Sequence, residues 1–532
     1  MKLNRNSYFV NLIFPAFVFG SITGILTAVL ITFYKLCAKY VVSASETGYH
    51  YLRENILLIP VVIAALFVTA LLFALCYKKF PNLQGGGIPT SIGILRGIIP
   101  FDWLKNLIGV FLLSLTSFLI GVPLGTEGPS VQMGTAIGRG SIACLAKKHM
   151  AWDRYSMTGG ACAGFSVATG APISGILFGI EEAHQRISPM IIIVSATSVM
   201  FSYLTTQLIA PILGVSETLF PKMQLPTLTV KDVWIPVVIG VTVGFFAVGF
   251  LKYYRIINTL ISKKTKKVPH SIKIFTVFLL TLILGLCSYS FISTGHEFIL
   301  SLLNGKTAIY MLILLLIVRS TLTLASNGTR ITGGIFLPIL ALGAALSALL
   351  AESAEGLLGL GEEYHMIILV LGICACISGM MKMPLTAIVF SVEALSCHDN
   401  IFYVIVTAAS AFIITEIFDV KSINDSVLDN KIKHMNRDKE MTVIDTFVTV
   451  GAGTFAVGKQ IRDIFWPANL FVLSVKHSEK QNAQVDEHGG KAIREGDTLH
   501  VRYSTYDEEQ TRRELIAIVG EQEYIEAETD II

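Results

Sequence analysis

Apolar stretches of about 20 residues recur along most of this chain, a length that crosses the hydrocarbon of a bilayer as one helix. Candidate spans lie near residues 9–36, 56–76, 99–121, 157–181, 190–212, 234–258, 273–293, 307–325, 335–351, 365–380, 384–396 and 401–418. Only 15% of the residues are charged and 53% are hydrophobic, which leaves too little polar surface for a soluble globule. We therefore predict a polytopic membrane protein with at least ten crossings.

The charged residues are concentrated at the C-terminal end. Residues 431–532 carry 13 Lys and Arg and 18 Asp and Glu. We predict a membrane domain over 1–430, a linker over 431–440 and a soluble domain over 441–532. Four lysines within residues 263–267 place that loop in the cytoplasm by the positive-inside rule, and the tail is expected on the same side. This distribution excludes a soluble enzyme, a nucleic-acid binder and a disordered protein.

The membrane domain contains an internal repeat. Residues 171–181 (APISGILFGIE) match residues 383–393 (MPLTAIVFSVE), and the proline precedes the glutamate by nine residues in both. A second pair begins at Pro129 and Pro338, each followed five residues later by glycine. The offsets of 212 and 209 residues agree, so the domain is predicted to consist of two halves. Repeated halves with broken segments indicate a transport site at their interface.

Three segments rich in glycine and proline interrupt the apolar stretches: 85–89 (GGGIP), 121–129 (GVPLGTEGP) and 333–338 (GGIFLP). The order predicts helices that begin inside the membrane with proline at the first position. Helix N-termini present free N–H groups and a positive dipole end, so several of them meeting at one point would bind a small anion. Ordinary kinks or close helix packing are the alternative.

Carboxylates within a membrane are costly and are functional by default. Glu127 lies in the second glycine-rich segment, where it would compete with the anion. Glu181 and Glu182 end an apolar helix, and Glu393 is the repeat mate of Glu181. This match favours a structural role for both mates and leaves Glu182 unpaired between the repeats. A solvated helix end and a proton-handling group both remain open for Glu182.

The motifs GGGIP, GTEGP, GILFGIEE and GGIFLP, in this order, resemble the signature segments of the CLC family of chloride channels and chloride/proton antiporters. The resemblance implies an all-α polytopic plasma-membrane protein with two inverted repeats and broken intramembrane helices. It implies a homodimer that exchanges chloride for protons, without enzymatic activity or a cofactor. Glu127 falls on the external gating glutamate and Glu182 on the internal proton-transfer glutamate. The implied anion-binding backbone groups belong to Thr126, Glu127, Gly128, Ile335 and Phe336.

Three positions depart from the family pattern. Gly86 replaces the serine of the central anion site, Asn424 replaces a tyrosine that donates to the anion, and Thr126 replaces the arginine before the gate. Gly86 and Asn424 therefore mark the remaining candidate anion-binding positions. These departures keep an alternative open: a passive or weakly coupled anion channel, or transport of another anion such as fluoride.

The tail alternates in the strand period over residues 442–450, 470–475 and 498–503, followed by a helix or strand over 515–519. We predict a small cytoplasmic α+β domain. Segments 453–464 and 494–499 resemble the TrkA-C (RCK-C) module of bacterial potassium-transport proteins. That resemblance implies a dimerising regulatory domain that binds a small nucleotide, with cyclic di-AMP as the first candidate. A purely structural role in stabilising a dimer is the alternative.

Overall fold

The computed structural model describes residues 13–145, 151–265, 267–436, 439–477, 485–486, 492–520 and 525–526. A helical membrane part precedes a small sheet domain at the C-terminal end. Among the described residues, ten helices are long and apolar enough to cross a bilayer. The predicted fold class, a helical polytopic protein with a small α+β domain, is confirmed.

The membrane part contains seventeen α-helices within the described ranges. They are α1 Phe14–Glu54, α2 Ile59–Lys79, α3 Gly87–Leu95, α4 Trp103–Ile120, α5 Glu127–Leu145, α6 Asp153–Thr169, α7 Pro172–Phe178, α8 Pro189–Leu213, α9 Trp234–Lys264, α10 His270–Cys287, α11 His296–Asn304, α12 Ile309–Gly328, α13 Phe336–Leu358, α14 Tyr364–Met381, α15 Pro384–Ala394, α16 Ile401–Ile417 and α17 Ile423–Met435. Helices α3, α7, α11 and α15 are too short to cross alone.

Two differences from the predicted spans are both caused by glycine residues. The stretch predicted as one span over 157–181 is divided into α6 and α7 at Gly170, which adopts a left-handed φ of 72°. Helix α5 was not predicted as a span because it contains four glycines and few large apolar side chains. It is buried almost throughout by other helices, so hydropathy toward lipid is not required of it.

The prolines of the three breaks do not occupy the first helical position, which corrects the sequence prediction. Gly87, Glu127 and Phe336 begin α3, α5 and α13, and each proline is the third residue of its helix. The first four N–H groups of a helix have no partner within it. Proline in this first turn therefore removes no intrahelical hydrogen bond.

The tail forms a sheet in the order β3-β2-β4-β1-β5, with every described pair antiparallel. Its strands are β1 Thr442–Thr449, β2 Leu470–Lys476, β3 Val485–Asp486, β4 Thr498–Thr505 and β5 Ile525–Glu526. Helix α18, Glu508–Val519, buries Leu515 and Val519 in the tail's hydrophobic core. The three predicted strands are present, and the last predicted segment is helical. The predicted domain boundary at 430/431 falls inside α17.

Candidate functional site

The three glycine-rich breaks meet at one point. A Cβ atom added to Gly87 would lie 1.8 Å from the carbonyl oxygen of Gly128, and one added to Gly128 would lie 2.6 Å from Cα of Gly334. Only glycine permits backbones to approach so closely. The N-terminal turns of α3, α5 and α13 are therefore in direct contact. The second and third breaks are brought together although they lie more than a hundred residues apart in the sequence.

Two of these breaks are joined by a reciprocal backbone bridge. The N–H of Gly125 donates to the carbonyl oxygen of Gly334 at 2.6 Å, and the N–H of Gly334 donates to that of Gly125 at 2.9 Å. The two residues lie 209 positions apart, which is one of the repeat offsets found in the sequence. Mutual contacts of this kind are characteristic of elements related by a twofold axis.

The predicted anion-binding residues lie around this contact. Thr126, Glu127 and Gly128 stand at the start of α5, and Ile335 and Phe336 stand at the start of α13. Gly86 immediately precedes α3. The first N–H groups of each helix have no intrahelical acceptor, and each N-terminus carries the positive end of the helix dipole. The arrangement can stabilise a small anion through backbone groups, without an arginine or lysine in direct contact.

Glu127 extends its carboxylate over the same backbone. The side chain is fully buried, and Thr126 donates its hydroxyl to Oε1 at 3.2 Å. Among the described residues Oε2 has no hydrogen-bond partner, and a Cβ on Gly125 would lie 2.4 Å from it. A buried carboxylate oxygen without a donor is costly, and such groups are concentrated where a proton or an ion binds. Glu127 is thus placed to compete with an anion for the helix N-termini.

Glu182 lies on a different element. It belongs to a π-helical segment, Gly179–His184, that continues α7, and its side chain is 2% exposed. Single π-helical turns of this kind occur frequently at functional sites. The burial excludes the alternative of a solvated helix end. Asn424 donates from Nδ2 to Oε1 of Glu182 at 2.8 Å.

Asn424 therefore has a partner that sequence reasoning did not identify. The sequence places it at an anion-binding position, whereas the structure directs an Nδ2 hydrogen to Glu182. An amide nitrogen carries two hydrogens, so this bond leaves one for an anion. Its Oδ1 is buried and has no partner in the described structure.

Arg96 was also missed. It caps the end of α3 and donates from Nη2 to the carbonyl oxygen of Glu182 and from Nε to that of Ala183, both at 3.0 Å. Its Nη1 lies 3.4 Å from Oδ1 of Asp425. A charged residue at the end of a short apolar broken helix was the signal that could have identified it.

Glu181 and its repeat mate Glu393 lie apart from the anion site. Glu181 accepts from the N–H groups of Leu385 and Thr386, and Glu393 accepts from those of Ile173 and Ser174. Each carboxylate therefore caps a short helix of the other repeat. These contacts explain the paired glutamates of the repeat and leave Glu182 as the carboxylate without a repeat mate.

Comparison with known proteins covers the membrane part. Residues 66–416 match the family model described as voltage gated chloride channel. The chain is 26% identical over 432 residues to the H(+)/Cl(-) exchange transporter ClcA of Vibrio parahaemolyticus, covering 79% of this chain and 91% of the relative. It is 26% identical over 382 residues to the protein of that name from Klebsiella pneumoniae, covering 69% and 79%.

Solved structures agree in fold. The crystal structure of a slow cyanobacterial Cl⁻/H⁺ antiporter superposes with a TM-score of 0.67 at 25% identity, covering 79% of this chain and 99% of that one. A CLC-type fluoride/proton antiporter superposes with a TM-score of 0.61 at 18% identity, covering 77% and 98%, which supports the fold alone. Because the family match spans more than half of the chain and includes the converging breaks, the chain belongs to the voltage gated chloride channel family.

Proposed function

We propose that this protein is a secondary active transporter that exchanges chloride for protons. The observation that carries the proposal is the convergence of three helix N-termini on one point, beside the buried carboxylate of Glu127. Backbone dipoles hold an anion without the tight grip of a cationic side chain, so the anion is also released. The relatives named H(+)/Cl(-) exchange transporter share this part of the chain.

Glu127 acts as the external gate in this proposal. Its ionised carboxylate competes with chloride for the N-termini of α5 and α13. When Glu127 takes up a proton, the negative charge is lost and the anion gains access to the site. Anion movement and proton movement are thereby linked at one side chain.

Glu182 supplies protons from the opposite side. The two carboxylates lie toward opposite ends of α5. Glu127 is the first residue of this helix. Ile142, near its other end, packs in the hydrophobic cluster that contains tail residue Phe465. Glu182 is close to that same cluster, because His184 of its segment stacks on Phe465. Protons therefore enter on the tail side and reach Glu127 across the protein.

The exchange is tested in proteoliposomes loaded with the purified protein. An outward chloride gradient should drive protons inward against their own gradient, and collapse of the chloride gradient should stop this uptake. A chloride flux that moves no protons would instead support a passive channel. Replacement of chloride by fluoride tests the other alternative: coupled uptake with fluoride alone would identify a fluoride exchanger.

A homodimer forms part of the proposal. Ile173 and Leu385 are more than half exposed on the outer face, beside the partly exposed carboxylates of Glu181 and Glu393. Charged groups and short helix ends are disfavoured against lipid and are tolerated where protein covers them. A second copy of this face would provide such cover. Native mass spectrometry of the extracted protein should give twice the mass of one chain, and a monomer would contradict this proposal.

The tail is proposed to be a TrkA-C type regulatory domain on the cytoplasmic side. Its segment 455–466 contacts the membrane part near Glu182. The centroid of the Phe465 ring lies 4.3 Å from the ring centroid of Tyr155 and 4.5 Å from that of His184. The Cζ atom of Arg186 lies 4.7 Å from the centroid of the Phe465 ring. One aromatic side chain of the tail is thus enclosed by three groups of the membrane part.

Hydrogen bonds reinforce this contact. Tail carbonyl oxygens accept from membrane-part side chains, and one tail carboxylate accepts from a serine. The pairs are Tyr155 to Asp463 O, Arg186 to Ile464 O at 3.4 Å, Arg154 to Phe465 O at 3.3 Å, Arg154 to Trp466 O at 2.5 Å, and Ser188 Oγ to Asp463 Oδ1 at 3.2 Å. The tail therefore contacts His184, Arg186 and Ser188, which lie at the end of the Glu182 segment and just after it.

A ligand of the tail would act through this contact. It can shift transport only by binding the docked and undocked arrangements with different affinities. A small anionic nucleotide, with cyclic di-AMP as the first candidate, is the proposed ligand on the strength of the TrkA-C resemblance. Full-length protein should change its flux on addition of cyclic di-AMP, whereas a truncation before Met441 should not. An equal response of both proteins would contradict this regulation.

The docking itself is tested by Phe465→Ala. Loss of the ring removes support from His184, so the number of protons moved per chloride should fall. Phe471→Ala is the matched control, because Phe471 lies on β2 of the same domain and is 65% exposed. Equal ratios for wild type and both variants would mean that the tail does not influence coupling and would leave only its structural role in a dimer.

A further inference from the structure

The amide of Asn424 and the carboxyl group of Glu182 form a pair that is closed to solvent. Asn424 is fully buried, Glu182 is 2% exposed, and Nδ2 lies 2.8 Å from Oε1. The pair joins residues 242 positions apart, from the start of α17 and from the π-helical segment. This contact requires that the two elements be held at a fixed separation.

Arg96 fixes that separation. Its guanidinium donates to the carbonyl oxygens of Glu182 and Ala183, and it pairs with Asp425, the residue next to Asn424. Asp425 is itself held by the hydroxyl of Ser422, which caps α17. The ends of α3, α17 and the π-helical segment therefore form one connected unit around Glu182.

A second feature concerns the unused oxygen of the amide. Oδ1 of Asn424 is buried and has no hydrogen-bond partner in the described structure. An amide carries both donors and an acceptor, whereas an ionised carboxylate only accepts and a protonated one also donates. Nδ2 satisfies the ionised form of Glu182. Oδ1 is an acceptor that suits the O–H of the protonated form.

We propose that Asn424 is a positioning residue for proton transfer, which holds Glu182 through Nδ2 when it is ionised and through Oδ1 when it is protonated. This inference rests on the proposed proton-transfer function of Glu182. A leucine of similar size provides neither group, and a tyrosine hydroxyl is placed at the end of a much longer side chain. The charged groups around the pair are Arg96 on α3, Asp425 on α17 and Glu181 on the π-helical segment. None of them duplicates the two-sided hydrogen bonding of the amide.

The test compares Asn424→Leu with wild type in proteoliposomes, with chloride flux and proton flux measured together. A hydrogen bond to a charged group typically changes an equilibrium constant by a factor of about ten or more. Proton flux should therefore fall about tenfold, and by a larger factor than any fall in chloride flux. Asn424→Gln keeps the amide and should recover part of the proton flux. The matched control is Asn430→Leu, an exposed asparagine of the same helix.

Two further readouts separate the possible outcomes. Infrared difference spectra should show that the C=O stretch of protonated Glu182 shifts in Asn424→Leu, with the assignment made by its loss in Glu182→Gln. Calorimetric chloride affinity measures any loss of anion binding separately. Weakened chloride binding at an unchanged proton-to-chloride ratio would overturn the inference and make Asn424 an anion ligand only. If wild type moved no protons, the proposed exchange would fail, and the infrared shift would still decide whether Asn424 binds protonated Glu182.

Discussion

Glu181 and Glu393 cap each other's repeat. The carboxylate of Glu181 accepts from two backbone N–H groups and the Thr386 hydroxyl at the start of α15, and α15 ends near Glu393. Glu393 accepts from two N–H groups and the Ser174 hydroxyl at the start of α7. Carboxylates at helix N-termini satisfy free donors and interact favourably with the dipole. Each repeat thus supplies the carboxylate that caps a short helix of the other repeat.

Glu181→Gln and Glu393→Gln should destabilise the protein by similar amounts, because the two sites are equivalent. Each change removes a charge and one bidentate acceptor, which corresponds to about 1 kcal/mol for a helix cap. Thermal unfolding in detergent provides the measurement, with Glu46→Gln, an exposed carboxylate on α1, as the control. A large loss for one mate and none for the other would contradict the equivalence.

Glu127→Gln should uncouple chloride from protons. The neutral amide no longer competes electrostatically with the anion at the starts of α5 and α13, so chloride flux should persist and lose its dependence on pH. Chloride and proton fluxes in proteoliposomes test this expectation. Glu297→Gln, at an exposed carboxylate on α11, should retain coupling. Proton-coupled flux at the wild-type rate in Glu127→Gln would refute the gate assignment.

Gly86→Ser should tighten chloride binding. Gly86 has a φ of −67°, and an added Cβ would lie 3.5 Å from Cδ of Pro89 and 3.6 Å from the carbonyl oxygen of Gly333, which are ordinary contacts. The new hydroxyl then donates beside the N-terminus of α3. Calorimetry should show an affinity gain of about fivefold, the value of one net hydrogen bond. An unchanged affinity in the folded variant would show that the anion lies elsewhere.

The neighbouring glycine should behave in the opposite way. A Cβ at position 87 would lie 1.8 Å from the carbonyl oxygen of Gly128, so Gly87→Ala forces the breaks of α3 and α5 apart. This variant should lower thermal stability and abolish chloride binding, whereas Gly86→Ser should do neither. Normal binding by Gly87→Ala would contradict the contact between the breaks.

Tail stability should depend on pH through Lys459. Burial lowers the pKa of this lysine to about 8, and its Nζ donates to the carbonyl oxygen of Phe455 in segment 455–466, which contacts the membrane part. Between pH about 8 and the unfolded pKa of about 10.4, the folded tail binds fewer protons than the unfolded tail. Its free energy of unfolding should therefore rise across this window and stay constant above it. Denaturant titration of the full-length protein tests this, and Lys459→Met should remove the rise in that window.

Local sequence patterns predicted much of the fold. The segments rich in glycine and proline located the three breaks, and the 212-residue offset identified Glu181 and Glu393 as equivalent positions of the two repeats. Helix α5 escaped prediction because hydropathy reports exposure to lipid, and this helix is enclosed by protein. The contact of Asn424 with Glu182 could not be predicted, since it depends on the relative placement of elements 242 residues apart. The tail's contact through Phe465 was missed for the same reason.

The reversal potential in a pH gradient tests the central claim most directly. With equal chloride on both sides, the current of wild-type protein should reverse at a voltage displaced from zero, because each transport cycle moves protons as well as chloride. In Glu182→Gln, the reversal potential should return to zero while chloride current persists. A wild-type reversal potential of zero, or an unchanged displacement in Glu182→Gln, would contradict proton-coupled exchange through Glu182.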